Sequence, residues 1–191
     1  MGKSKNLQAN NSQNFILKGL NSIQVGLYFL LSVYILKSLL EAFLSDESFL
    51  AMMSIQIIEN IGVSLVVFIF LFSSLAVFFS SRRRARKMGV KIWNSQSKKH
   101  FWTYSIFTIT SIIILFFVKN LGYTAYIAPL FLLFSGGLLI LLNTNKEKPY
   151  YLLAGINLLL AVLVLVIPSY WYSAILIVGI SFLAYGVVVK K

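Results

Sequence analysis

A chain of 191 residues that is 59% hydrophobic, 15% aromatic and only 12% charged lies outside the range of soluble domains, which average about 45–50% apolar and about 25% charged. That length suits one domain and leaves no room for a separate soluble enzyme module. Cysteine is absent, which excludes disulfides, thiolate metal sites, thiol nucleophiles and Cys-linked lipid anchors, while the net charge of +12 points to basic loops facing anionic lipid rather than to nucleic acid.

Residues 1–18 read as a polar cytoplasmic tail carrying Lys3, Lys5 and Lys18. The start Met1-Gly2-Lys3-Ser4-Lys5-Asn6 places Asn6 where a myristoylation signal needs Ser or Thr. The following apolar run is too long for a cleaved leader and lacks a small-residue cleavage site. Six apolar runs then succeed one another, at about 19–40, 57–79, 101–118, 123–142, 150–167 and 170–189. About 20 apolar residues span a bilayer as helix, and a helix satisfies its own backbone hydrogen bonds there. The fold class expected is therefore an all-α polytopic transmembrane bundle of about six spans, filling residues 19–191. The third and fifth runs are short, so those helices should stand nearly upright or be shielded by neighbours.

The connections carry the charge. Fifteen of the seventeen Lys and Arg residues fall at the tails, between runs two and three, or between runs four and five. Only Lys37 and Lys119 fall on the other connections, with Glu41, Asp46 and Glu47. The positive-inside rule then puts both termini in the cytoplasm of a bacterial inner-membrane protein. Aromatic residues agree: Tyr123, Tyr126, Tyr170, Trp171 and Tyr172 collect at the outer level, and Trp93, Trp102, Tyr104, Tyr150 and Tyr151 at the inner one. Pro149 opens the fifth helix and Pro168 closes it. Pro129 lies inside the fourth run, where a modest kink is expected. Tyr126, Ala128 and Ser135 match Tyr172, Ala174 and Ser181 at an offset of 46 residues, a weak sign that spans three-four and five-six repeat one hairpin.

The basic segment 80–100 is the strongest local signal. It places Arg82, Arg83, Arg84, Arg86, Lys87 and Lys91 among Met88, Val90, Ile92 and Trp93. Such a loop can lie on the membrane with Trp93 in the interface and its cations on anionic headgroups or an acidic partner, at about 1 kcal/mol per basic residue. The plainer reading is that it only fixes topology. Nucleic-acid readout is not expected, because the loop is tethered and belongs to no recognisable binding fold.

A second candidate is an outer polar cluster. Lys37 and Glu41 share a helix face four residues apart, and Glu59 opens span two at the same depth. Snorkelling with mutual neutralisation competes with ligand binding there. Asn21, Ser22, Gln24 and Asn157 are uncharged groups of the kind that bond across helices. Gly62, Ser64, Ser73, Ser74, Gly136, Gly137, Gly155, Gly179, Ser181 and Gly186 permit close helix approach. Catalytic chemistry has little to use. The single His100 has no carboxylate near it in sequence, a metal site needs three or four ligands, and an acid–base pair needs two groups with separated pKa values. No enzyme activity, metal or cofactor is expected.

The segment from Arg82 to Trp102, above all Lys87-Met88-Gly89-Val90-Lys91-Ile92-Trp93, resembles a recurring feature of small integral membrane proteins of Bacteroidota. In those proteins a basic loop with a Lys-Ile-Trp element leads into a third span. The resemblance implies a membrane class and no activity or site residues. The function expected is a non-catalytic sensor, scaffold or accessory module whose basic loop meets anionic phospholipid headgroups or an acidic protein partner. The rival is a small oligomeric transporter or channel using Lys37, Glu59 and the Gly-rich fourth and sixth spans.

Overall fold

In the computed structural model the described residues are 19–45, 54–87, 95–142 and 148–188. They form six α-helices: α1 (Leu20–Leu44), α2 (Ile55–Lys87), α3 (Ser95–Asn120), α4 (Ile127–Leu142), α5 (Lys148–Val166) and α6 (Trp171–Val188). Short 3₁₀ turns at Thr124–Tyr126 and Pro168–Tyr170 lead into α4 and α6. Five helices are long and apolar enough to cross a membrane, so the chain is a multi-pass membrane protein with an all-α bundle. The remaining helix, α5, has an apolar stretch of 17 residues at Tyr150–Val166.

The helices follow one another around a ring. Each packs on its chain neighbours, and α6 returns to α1 to close the circle. All six contribute to one core, through Phe29, Phe70, Leu115, Phe131, Leu153 and Phe182 in chain order. Three connections share one end of the ring: the end of α1 and start of α2, the turn before α4, and the turn before α6 all line a common cavity. The described chain ends meet at the opposite end, where a Cβ on Gly186 would stand 2.8 Å from the Gly19 carbonyl. The helices therefore alternate in direction, as an up-and-down bundle requires.

Several element ends differ from the sequence reading. The segment read as a loop at 80–100 is mostly helix, because α2 runs on to Lys87 and α3 begins at Ser95. Arg, Ala and Lys are strong helix formers, and nothing stops the helix once it leaves the apolar run. Pro129 sits at the third position of α4, not inside the helix body. Its missing N–H falls among the donors that a first turn leaves free, so α4 loses no internal hydrogen bond there. The two hairpins read as a repeat do share a 3₁₀ entry to their second helix. Their serines serve differently: Ser135 bonds to Asn157, and Ser181 bonds only back to the Ile177 carbonyl.

The closest seam joins α1 to α6. In lipid there is no hydrophobic drive to bring helices together, so small residues that let backbones touch carry the association. A Cβ on Gly26 would lie 2.7 Å from the Gly179 carbonyl oxygen, and one on Gly179 would lie 3.2 Å from that of Gly26. One turn away, Ser22 Oγ donates to the Phe182 carbonyl at 2.7 Å. A second seam joins α4 to α5. Gly136 admits Asn157 and the Ala154 backbone, and Ser135 Oγ hydrogen-bonds Asn157 Oδ1 at 2.7 Å. Asn157 Nδ2 donates to the Leu153 carbonyl at 2.8 Å, so the buried amide keeps partners on both sides. By contrast α2 and α3 touch lightly, through Ser74 with Tyr104 and Phe78 against Phe101.

Gly26→Ala should destabilise the folded protein by about 1–3 kcal/mol, because the obstructing atom is backbone and cannot swing aside. Gly155→Ala meets nothing within 4 Å and should be neutral or slightly stabilising, by up to about 1 kcal/mol. Thermal unfolding of both variants in one detergent checks the contrast.

Candidate functional site

Two regions carry chemistry, one at each end of the ring. At the end opposite the chain termini a cavity of about 380 Å³ opens between α1, α2, α4 and α6. Leu36 and Leu40 come from the last turns of α1, and Ile58, Glu59, Gly62 and Val66 from successive turns of α2. Thr124 and Ala128 enter from the turn before α4, and Trp171 and Ile175 from the start of α6. Gly62 helps to make the space: a Cβ there would meet only Leu36, at 3.6 Å. Among the described residues the wall is almost wholly apolar, and Glu59 is the one ionisable side chain in it.

The cavity ends on Phe131. That ring stacks on Phe29 at 5.4 Å between centroids and meets Phe70 edge-on at 5.4 Å. Phe29 in turn lies 5.5 Å from Phe182. Four rings from four helices thus fill the bundle axis. Beyond them lies a space of only about 60 Å³, lined by Ser73, Tyr104 and Ser135 among apolar neighbours.

The outer cluster expected from sequence is divided in two. Lys37 Nζ lies 3.5 Å from Glu41 Oε1 on the same helix and 4.4 Å from the centroid of the Tyr172 ring on α6. Both charged side chains are largely open, so the ion pair contributes a few tenths of a kcal/mol and the ring about 0.5–1 kcal/mol. Glu59 stands apart, facing the cavity. Its neighbour Asn60 points to α3 instead, where Oδ1 accepts from Lys119 Nζ. Lys119 closes the last turn of α3, a position favourable to a cation. Sequence proximity in depth grouped Lys37, Glu41 and Glu59, but helix rotation decides which of them meet.

At the other end, α2 leaves the apolar bundle as a helix. Its 33 residues span about 50 Å at 1.5 Å each, against about 30 Å for the hydrocarbon core. Arg82, Arg83 and Arg86 are exposed on this extension, and Lys98 is exposed on the first turn of α3. Arg84 and Lys87 belong to the same helix; Lys91 and Trp93 lie outside the described residues. Among the described residues no three of His, Asp and Glu come together as a metal site would need.

The cysteine-free background allows a direct probe of the cavity. Ala128→Cys should label with a water-soluble maleimide, whereas Leu132→Cys, one turn deeper at a position with no exposure, should stay unmodified until the protein is denatured. No protein-family model, curated protein or solved structure matches the chain, so geometry and chemistry carry the functional reading.

Proposed function

We propose that this protein is a non-catalytic module of a bacterial cytoplasmic membrane, with both termini inside, whose basic end docks anionic phospholipid headgroups. The observation that carries the reading is the projection of α2 beyond the apolar bundle with Arg82, Arg83 and Arg86 exposed. Arg82 and Arg86 are four residues apart on one helix face, where like charges repel. An anionic surface removes that repulsion and draws each cation with about 1 kcal/mol. The distribution of charge in the sequence supports the orientation: Lys37, Lys119, Glu41 and Glu59 belong to the cavity end, and the arginines to the other. The aromatic plug of Phe29, Phe70, Phe131 and Phe182 favours this reading over a channel, which needs a continuous polar path. The Lys-Ile-Trp resemblance to small Bacteroidota membrane proteins is consistent with the same setting.

Replacing Arg82, Arg83 and Arg86 together by Gln should weaken retention of phosphatidylglycerol by on the order of a hundredfold, from three contacts of about 1 kcal/mol each. Native mass spectrometry of the protein in detergent, titrated with that lipid and with phosphatidylcholine, measures it. Wild-type binding should also fall as salt rises. Equal retention of both lipids by wild type, or no loss in the triple variant, would overturn the proposal.

A further inference from the structure

We infer that the cavity at the end opposite the arginines binds a lipophilic monovalent cation, with the charge on Glu59 and the apolar body against Trp171, Leu36 and Ile175. The inference does not depend on lipid docking at the basic end, since the two regions share no residue.

Glu59 is the starting point. Its half-buried carboxylate stands on an otherwise apolar wall, where it offers a counter-charge to a cation that enters the cavity. Both basic residues placed at this end are occupied elsewhere. Lys37 is held between Glu41 at 3.5 Å and the Tyr172 ring at 4.4 Å, and Lys119 is bound by Asn60. Among the described residues Glu59 has neither an ion pair nor a hydrogen bond, whereas Lys37 and Glu41 neutralise each other.

The surroundings then select the ligand. Calcium or magnesium would need a shell of oxygen ligands, and among the described residues the cavity offers the Glu59 carboxylate and the Thr124 hydroxyl amid Leu, Ile, Val and Ala side chains. An anion would meet the carboxylate as repulsion. A neutral apolar molecule would fill the space and leave the carboxylate unanswered. A hydrophobic amine or an onium ion meets both demands, placing its charge at Glu59 and its carbon surface on the wall. Trp171 also lines the cavity, an aromatic residue of the kind that attracts such cations. The volume, about 380 Å³, falls in the usual range of about 300–1,000 Å³ for small-molecule sites. The floor at Phe131, backed by Phe29 and Phe70, makes the site a dead end, suited to sensing the ligand more than to passing it on.

The test uses the full-length protein in nanodiscs, with tetraphenylphosphonium as the probe and the similarly shaped neutral triphenylphosphine oxide as comparator. Empty nanodiscs of the same lipid correct for partition into the bilayer. Saturable binding of tetraphenylphosphonium above that background is expected, with the oxide bound at least about tenfold more weakly. Glu59→Gln should lose the preference for the cation, and Glu59→Asp should keep most of it. Binding no greater than in empty nanodiscs, or equal binding of the two probes by wild type, would overturn the inference without recourse to any variant. Undiminished cation preference in Glu59→Gln would overturn the assignment of the charge. Lipid docking at the arginines would be untouched by each of these results.

Discussion

The seam between α1 and α6 is the contact on which the rest of the arrangement depends. It joins helices 160 positions apart in the chain, as the Ser22 to Phe182 hydrogen bond records, and it turns a row of hairpins into a closed ring. Because Gly26 and Gly179 bring two backbones together, α1 cannot slide or rotate against α6 without a clash. That fixed relation sets Leu36 and Leu40 across from Trp171 and Ile175 as facing walls of one cavity. It also puts Lys37 over the ring of Tyr172, which removes that cation from the neighbourhood of Glu59.

The remaining seams differ in closeness, and the difference has a physical cause. Where the chain supplies Gly136 with Ser135 and Asn157, α4 and α5 approach closely and lock through a buried amide with two partners. Interhelical hydrogen bonds of this kind contribute about 0.6–2 kcal/mol in a membrane, and each also penalises every register that would leave the amide unpaired. The α2–α3 seam is filled by large rings instead, with polar links from Ser74 to Tyr104 and from Lys119 to Asn60. Local opening would therefore begin between α2 and α3, the least closely packed neighbours in the ring.

Much of the architecture was legible from the sequence because hydropathy and charge alternation are signals written along the chain. The six helices stand where the apolar runs lie. Their ends were less legible: Arg82 to Lys87 are polar, yet they are good helix formers and continue α2 where an apolar count stops. Ser22 and Asn157 were recognisable as groups that bond across helices, and both do. Gly26 was overlooked, although its spacing of four from Ser22 is a readable small-residue pattern. What no linear reading could supply is helix rotation. Lys37 pairs with Glu41 and lies over the Tyr172 ring, whereas Glu59 faces the cavity.

The fifth helix is where the length of the apolar stretch gave the topology least support. Its apolar stretch of 17 residues rises about 26 Å, less than the usual hydrocarbon thickness of about 30 Å. Packing carries it across. It lies against α4 through the Ser135–Asn157 pair and against α6, and the Pro168–Tyr170 turn extends the chain to the level of the cavity. Trp171 stands there beside Tyr172 with ring centroids 5.9 Å apart, aromatic groups of the kind that hold a helix end at an interface. α5 therefore runs from one end of the bundle to the other although its apolar stretch is too short to be recognised as a span by length. The described chain ends consequently meet at one end, leaving the other to the cavity and Glu59.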